Sequence, residues 1–458
     1  MTTSHVLKLT LSERIAPVIA LIGLYGFCLS IGPSVAGVNV SAGLILLATV
    51  LAGRDFWQAV RPLPVFWLMA GFLAYLTVQS LVFIHYHPEL NESGNPHWTH
   101  IARTAGLISL PMAWWIARFP RQMPWLLGVV GLSLALGILD AINVTGLIKD
   151  GISNRQYWGT IQGEVSYMAA TGLIGCWLLA MRLFLVSRRD SWHFRLAAPL
   201  LALAGGLFLL ALYGSQTRST WGATALTLAV FGALEMVRAF KRRESLLPFG
   251  VLALVAVVTV TAVVTLDGGR AYEQRLGGQS KTLKAVMELD SEQIYEFNAS
   301  LGIRVFLWEE GIRAVAARPV VGWGIGGMRR LNENLNDHLG RRAHFHNIYL
   351  ELLVGVGVIG TLALGAIIYL LVRRALAVAR RYPERRVVIQ LALAGLLMTS
   401  LALLFEIRVG HTSGRSIMIL LFAVLAVSFW YPPQVRRTAI NDHHESVFPG
   451  RASLGQNV

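Results

Sequence analysis

Two cysteines in 458 residues exclude a disulfide framework and a thiolate metal cluster. Both Cys28 and Cys176 sit inside apolar runs, where they read as buried packing residues. Charge is scarce too. Only 14% of residues are charged against 55% hydrophobic, which points away from an ordinary soluble domain. Acidic residues are fewest of all, 25 against 40 Lys and Arg. No outward-facing Asp-Asp or Asp-x-Asp pair and no His/Cys cluster with metal-ligand spacing is present, so a metal-dependent transferase finds no support and no cofactor is expected. The first apolar run, from Ile15, has no convincing small-residue cleavage site and is followed by more apolar runs, so no signal peptide is expected.

What is present is a succession of apolar runs, each of about 20 residues and enough to cross roughly 30 Å of hydrocarbon as a helix. Backbone groups in lipid must bond within their own segment, so the expected class is an all-α polytopic membrane protein. Twelve spans are read at 15–31, 34–53, 63–84, 101–117, 124–142, 165–186, 196–213, 219–237, 246–266, 346–372, 387–405 and 414–431. The net charge of +15 is not a nucleic-acid footprint, because the arginines cluster at helix ends. Alternate connections and the two termini hold 23 of the 40 Lys and Arg. The opposite side holds 17, of which 11 lie in one long loop. Positive charge in short loops stays cytoplasmic. Both termini are therefore expected in the cytoplasm and the long loop outside. The organisation that follows is a membrane bundle over 1–266, an outer loop region over 267–345, a second membrane bundle over 346–431 and a cytoplasmic tail over 432–458.

In the long loop, 283–297 and 303–316 read as helices. In the second, Val305, Trp308, Ile312 and Val315 repeat at helical spacing, Glu310 and Arg313 lie opposite, and Arg304 falls at the stripe's edge. Pro319 ends it, and Gly322, Gly324, Gly326 and Gly327 read as a flexible hinge rather than a phosphate loop, since no strand precedes them and no Walker lysine follows. The connection 85–100 has neither Lys nor Arg and reads as an external flap.

Arginines on the outer side are the first chemical signal: Arg103 at the start of span four, Arg155 in the 143–164 connection, Arg218 between spans seven and eight, Arg304 in the long loop, and Arg408 and Arg415 around the last outer turn. Orientation signalling does not explain them. An arginine near hydrocarbon is costly unless it is paired or faces a polar cavity, and a guanidinium binds phosphate oxygens bidentately. The competing reading gives each a local carboxylate or a lipid headgroup. His346 is the second signal. An imidazole at a membrane surface suits general-base chemistry, with Asn347 orienting the ring or a substrate oxygen, whereas a lone histidine at a helix start is also commonly structural. His344 shares the argument but would point elsewhere on a helix. Asp140, Glu164 and Glu406 read either as acids or as ion-pair partners.

Taken together, these residues resemble the bacterial O-antigen ligases and their relatives, the O-antigen polymerases and pilin oligosaccharyltransferases. The likeness covers the twelve-span layout with one long outer loop between spans nine and ten. Thr217-Arg218-Ser219 resembles the family's Ser/Thr-Arg-Ser/Thr turn, and Arg304 with Trp308 its Arg-x-x-x-Trp element. His346-Asn347-Ile-Tyr-Leu, followed by Gly355, Gly357 and Gly360, resembles its His-Asn-x-x-Leu signature and glycine-bearing helix.

The resemblance implies a metal-independent, GT-C-like glycosyltransferase of the bacterial inner membrane, working on the periplasmic face. Its donor would be O-antigen on undecaprenyl pyrophosphate and its acceptor a sugar hydroxyl of lipid A-core, or another lipid-linked glycan in a polymerase. Arg218 and Arg304 would hold the pyrophosphate and His346 would deprotonate the acceptor. Arg155, Arg103, Arg408, Arg415, Asn347, Trp308 and His344 would line the substrate site. A lipid-linked glycan transporter is the different-class alternative, though the chain shows neither clear inverted repeats nor clearly broken helices.

Overall fold

The computed structural model describes residues 11–86, 108–150, 158, 162–186, 192–244, 299–324, 344–405 and 412–431, together with isolated positions between 246 and 265. Among these residues every regular element is helical. The helices are α1 (Leu11–Ser30), α2 (Val35–Leu51), α3 (Gly53–Val60), α4 (Pro64–Tyr86), α5 (Ser109–Arg118), α6 (Met123–Ala141), α7 (Val144–Asp150), α8 (Gln162–Val186), α9 (Trp192–Gly214), α10 (Arg218–Lys241), α11 (Ala299–Ala317), α12 (Ile348–Arg381), α13 (Arg386–Ala402) and α14 (Thr412–Ala426).

The chain is an all-α polytopic membrane protein. Ten of the twelve expected spans coincide with α1, α2, α4, α6, α8, α9, α10, α12, α13 and α14. Of the other two, 101–117 is described from its last turns onward, and 246–266 lies largely outside the described residues. By length and apolar character, eight described helices qualify as membrane-crossing, or nine if α2 and α3, bent by 90°, form one span. That bend has a local cause. Ala52 leaves the helical backbone region, and α3 carries Arg54 and Asp55 on the side away from its buried Val60. Arg118 of α5 reaches Asp55 at 3.3 Å and lies over the Trp114 ring at 4.0 Å, fixing this corner.

Burial separates central from peripheral helices. In α8 and α14, 61% of the apolar window is buried, against 17% in α9. Leu200 and Leu203 of α9 and Leu362 of α12 stay exposed, as side chains facing lipid should. Polar pairs stitch the centre together: Tyr167 of α8 meets Thr399 of α13 at 2.5 Å, and Ser166 of α8 meets Thr220 of α10 at 3.1 Å.

α11 packs on the first turns of α12 around a separate small core of Leu307, Ala314, Phe345 and Val354. The buried face therefore runs through Ile303, Leu307, Gly311, Ala314 and Val315, with Leu350 seated against Gly311. This corrects the expected stripe: Ile312 is 62% exposed. Apolar residues on several sides of α11 blur its periodicity, and the contact with Leu350 selects the face. The 283–297 helix lies outside the described residues.

α12 is broken. Its 34 residues would span about 51 Å if straight, but Gly357 leaves the helix at φ 63° and ψ −171°. The turn after α11 fills the gap. Pro319 and Val320 carbonyls accept the amides of Val358 (2.9 Å) and Ile359 (3.2 Å), and the Trp323 amide donates to Val354 O at 2.7 Å. From α4, Tyr75 Oη donates to Val356 O at 2.7 Å and Gln79 Nε2 to Gly355 O at 2.9 Å. Residues 318–324 are thus a hydrogen-bonded clasp, which replaces the expected flexible hinge at Gly322 and Gly324. A Cβ on Gly357 would lie 2.3 Å from Val320 O, and one on Gly322 2.6 Å from Gly357 N, both at positive φ. Gly357→Ala is therefore expected to lower the thermal midpoint of the purified protein, by the ~1–3 kcal/mol that a strained position costs. Gly365→Ala, whose Cβ would meet nothing within 4 Å, should leave that midpoint unchanged in the same assay.

Candidate functional site

The His346 segment is built by its neighbours. Asn347 caps α12, its Oδ1 accepting the amides of Tyr349 (3.0 Å) and Leu350 (3.1 Å). Glu351, buried in the first turn, accepts the amide of Phe345 at 2.9 Å. Trp308 of α11 donates its indole N–H to Phe345 O at 3.0 Å. Phe345 itself is buried in the small core, so its two neighbours are displayed while it anchors. From α13, Leu403 O accepts the Ile348 amide at 3.0 Å, and Tyr349 Oη donates to Ser400 O at 2.8 Å.

This scaffold holds His346 in the left-handed region at φ 56°, a conformation costly for any residue but glycine. Its ring meets that of His344 edge-on, with centroids 4.1 Å apart. The expectation that His344 points elsewhere assumed a helix. The segment is not helical there, and the two imidazoles share one site. Asn347 differs from its expected role in part: its oxygen is committed to the cap, which leaves its amide nitrogen as the group that can face a substrate. Trp308 lies one turn after Arg304 on α11, and its ring is 6.0 Å from Phe405.

Arg218 is the first residue of α10. The turn before it is tightly enclosed: Ser215, Gln216 and Thr217 are buried, with Gln216 at φ 50°. Trp221 donates to Leu212 O at 2.6 Å and stacks on Tyr213. Trp158 presses on Gly214 so closely that a Cβ there would sit 1.9 Å from the indole. The Thr217 hydroxyl turns back to Ser215 O at 3.3 Å rather than capping α10. The positive end of the α10 dipole therefore points the same way as the helix start that bears Arg218, a setting that favours an anion.

Hydrogen bonds tie both parts to one end of the bundle. Thr220 bonds Ser166, near the start of α8, and Glu164, also in that first turn, accepts from Ser413 at the start of α14 at 2.8 Å. Arg415 follows in the same turn of α14. Tyr167 bonds Thr399, next to Ser400, which receives Tyr349 from the His346 helix. Arg103, Arg155 and Arg408 lie outside the described residues. Sequence reasoning missed Tyr75, Gln79 and Glu351. Two polar residues four apart within an apolar span were a readable signal for the first pair.

Residues 203–365 match the family model described as O-antigen ligase. That stretch contains the Arg218 turn, α11 with Arg304 and Trp308, the clasp and the His346 helix start. Over that stretch the chain is similar to the O-antigen ligase family. The exopolysaccharide production protein ExoQ of Rhizobium meliloti (strain 1021) is 26% identical over 210 residues, covering 42% of this chain and 40% of the relative. The match thus spans less than half the length of that relative.

The scaffold makes a stability prediction. Asn347→Ala should destabilise by about 1 kcal/mol through loss of the cap, and Asn347→Asp should recover most of it. Thermal unfolding followed by size-exclusion chromatography reads both.

Proposed function

We propose that this protein is a membrane glycosyltransferase that moves O-antigen polysaccharide from undecaprenyl pyrophosphate to a sugar hydroxyl of lipid A-core on the periplasmic face of the inner membrane. Both termini then lie in the cytoplasm, as the distribution of short-loop arginines indicates. The observation that carries the reading is the superfamily segment itself: Arg218, Arg304, Trp308 and His346 all fall within residues 203–365, and Trp308 braces the backbone that displays His346.

The proposed step is a single displacement. The acceptor hydroxyl attacks the anomeric carbon and its proton passes to His346. The bond from that carbon to the phosphate oxygen breaks, and undecaprenyl pyrophosphate leaves with the electron pair, inverting the anomeric centre. Arg218 and Arg304 bind the pyrophosphate and stabilise the charge that grows as it departs. Pyrophosphate is a good leaving group, so the scheme needs neither a catalytic acid nor a metal. Arg103, Arg155, Arg408 and Arg415 extend the cationic lining, and His344 and the Asn347 amide contact the sugars. The outer-loop cations Lys281, Lys284, Arg329, Arg330, Arg341 and Arg342 suit a phosphorylated lipid A-core acceptor.

A second reading keeps the donor and changes the acceptor to another lipid-linked glycan, making the protein a polymerase. The relative named for exopolysaccharide production favours it. Incubation of the purified protein with undecaprenyl-pyrophosphate glycan and lipid A-core separates the two. Glycan on the core is the expected product, and lengthened glycan on undecaprenyl pyrophosphate identifies the polymerase. His346→Ala should slow transfer by about 10²–10⁴-fold while the protein still folds. Arg218→Ala and Arg304→Ala should each cost on the order of 10²-fold or more. Chelator should leave turnover intact, and a strict requirement for added divalent cation would overturn the scheme.

A further inference from the structure

At the far end of the bundle from His346, the last turns of α8 and α10 meet the start of α13. A shallow, solvent-open recess lies between them, lined by Arg182, Arg238, Arg242, Arg386, Glu235 and Gln390 among others. The charges there do not cancel. Glu235 is buried and its carboxylate is shared, pairing with Arg238 one turn on and accepting the Gln390 side-chain amide. Arg242 is paired loosely with Glu244 at 3.8 Å, also on the recess. Among the described residues, Arg182 and Arg386 have no ion-pair partner. Among the described residues lining the recess, four guanidinium groups thus face two carboxylates.

Position sharpens the imbalance. Arg238 lies at the C-terminal end of α10 and Arg182 near that of α8, where the helix dipole favours a cation. Arg386 is the first residue of α13, where the dipole opposes one. It also feels the positive charges of Arg238, Arg242 and Arg182 together with the single negative charge of Glu235. Orientation signalling needs arginines at this membrane face, but it does not need four of them, from three helices, converging on one recess. A phosphate, with one or two negative charges and several acceptor oxygens, would relieve the excess, accept bidentate bonds from Arg182 and Arg386, and sit on the α13 dipole.

We propose that this recess is a phosphate-binding site, taking either the phosphate of an anionic lipid headgroup or a free phosphate from solution. It is independent of the glycosyl-transfer reading and lies about 30 Å from Arg218, twenty helical residues along α10.

The test uses the full-length protein in non-ionic detergent, with thermal midpoint followed against added inorganic phosphate, against phosphatidylglycerol, and against phosphatidylcholine, all at matched ionic strength. Phosphatidylglycerol should raise the midpoint and phosphatidylcholine should not. A rise with inorganic phosphate as well assigns a free-phosphate source, and a rise with phosphatidylglycerol alone assigns a lipid. Arg182→Gln and Arg386→Gln should each raise the half-saturating concentration about tenfold. Arg373→Gln, an exposed arginine of α12 outside the recess, should leave it unchanged. Arg386→Lys keeps the charge without the fork and gives an intermediate value should the glutamine variant fail to fold. Equal response in wild type and both recess variants, or no response to either anionic probe, overturns the proposal.

Discussion

Breaking a helix near hydrocarbon leaves carbonyls and amides without partners, and lipid offers none; each such group costs several kcal/mol. The break at Gly357 meets that constraint group by group. Val354, Gly355 and Val356 carbonyls are taken by the Trp323 amide, Gln79 and Tyr75, and the Val358 and Ile359 amides by Pro319 and Val320. Three segments remote in sequence, α4, the turn after α11 and α12, are thereby locked to one another. Because the clasp begins where α11 ends, it also fixes α11 against the start of α12. Trp308 can then brace Phe345, and the two histidines are displayed on either side of it.

That arrangement explains how a residue with a strained backbone can persist. His346 is held at positive φ by its neighbours: Glu351 and Trp308 grip Phe345, and Asn347 starts the helix immediately after. The Arg218 turn is enclosed in a comparable way by Trp158, Trp221 and buried hydroxyls. Both sets of groups are therefore held on helix starts at one end of the bundle, the preorganisation that the proposed transfer calls for.

Much of this was legible in the chain. Apolar runs long enough to cross lipid announce the spans, and the Arg-x-x-x-Trp and His-Asn-x-x-Leu patterns lie inside the stretch that matches the O-antigen ligase family model. What escaped sequence reasoning depends on contacts across long separations. The buried face of α11 is chosen by Leu350 at Gly311, not by the periodicity of Val305, Trp308 and Ile312. The run after Pro319 has the composition of a hinge, and only its pairing with residues 354–359 makes it a clasp. His344 joins His346 because residues 344–347 are not helical, a backbone state that composition does not announce.

The most direct test of this account is hydrogen exchange at the amides of Val358 and Ile359 in the purified full-length protein. The clasp predicts exchange as slow as that of Ala363 to Ile367 in the unbroken part of α12. It also predicts that Gln79→Leu with Tyr75→Phe speeds exchange at residues 320–323 and 357–359 together. Rapid exchange of those two amides in the wild type, at the rate of an open loop, would mean that the break is unsupported and that His346 is not held by it.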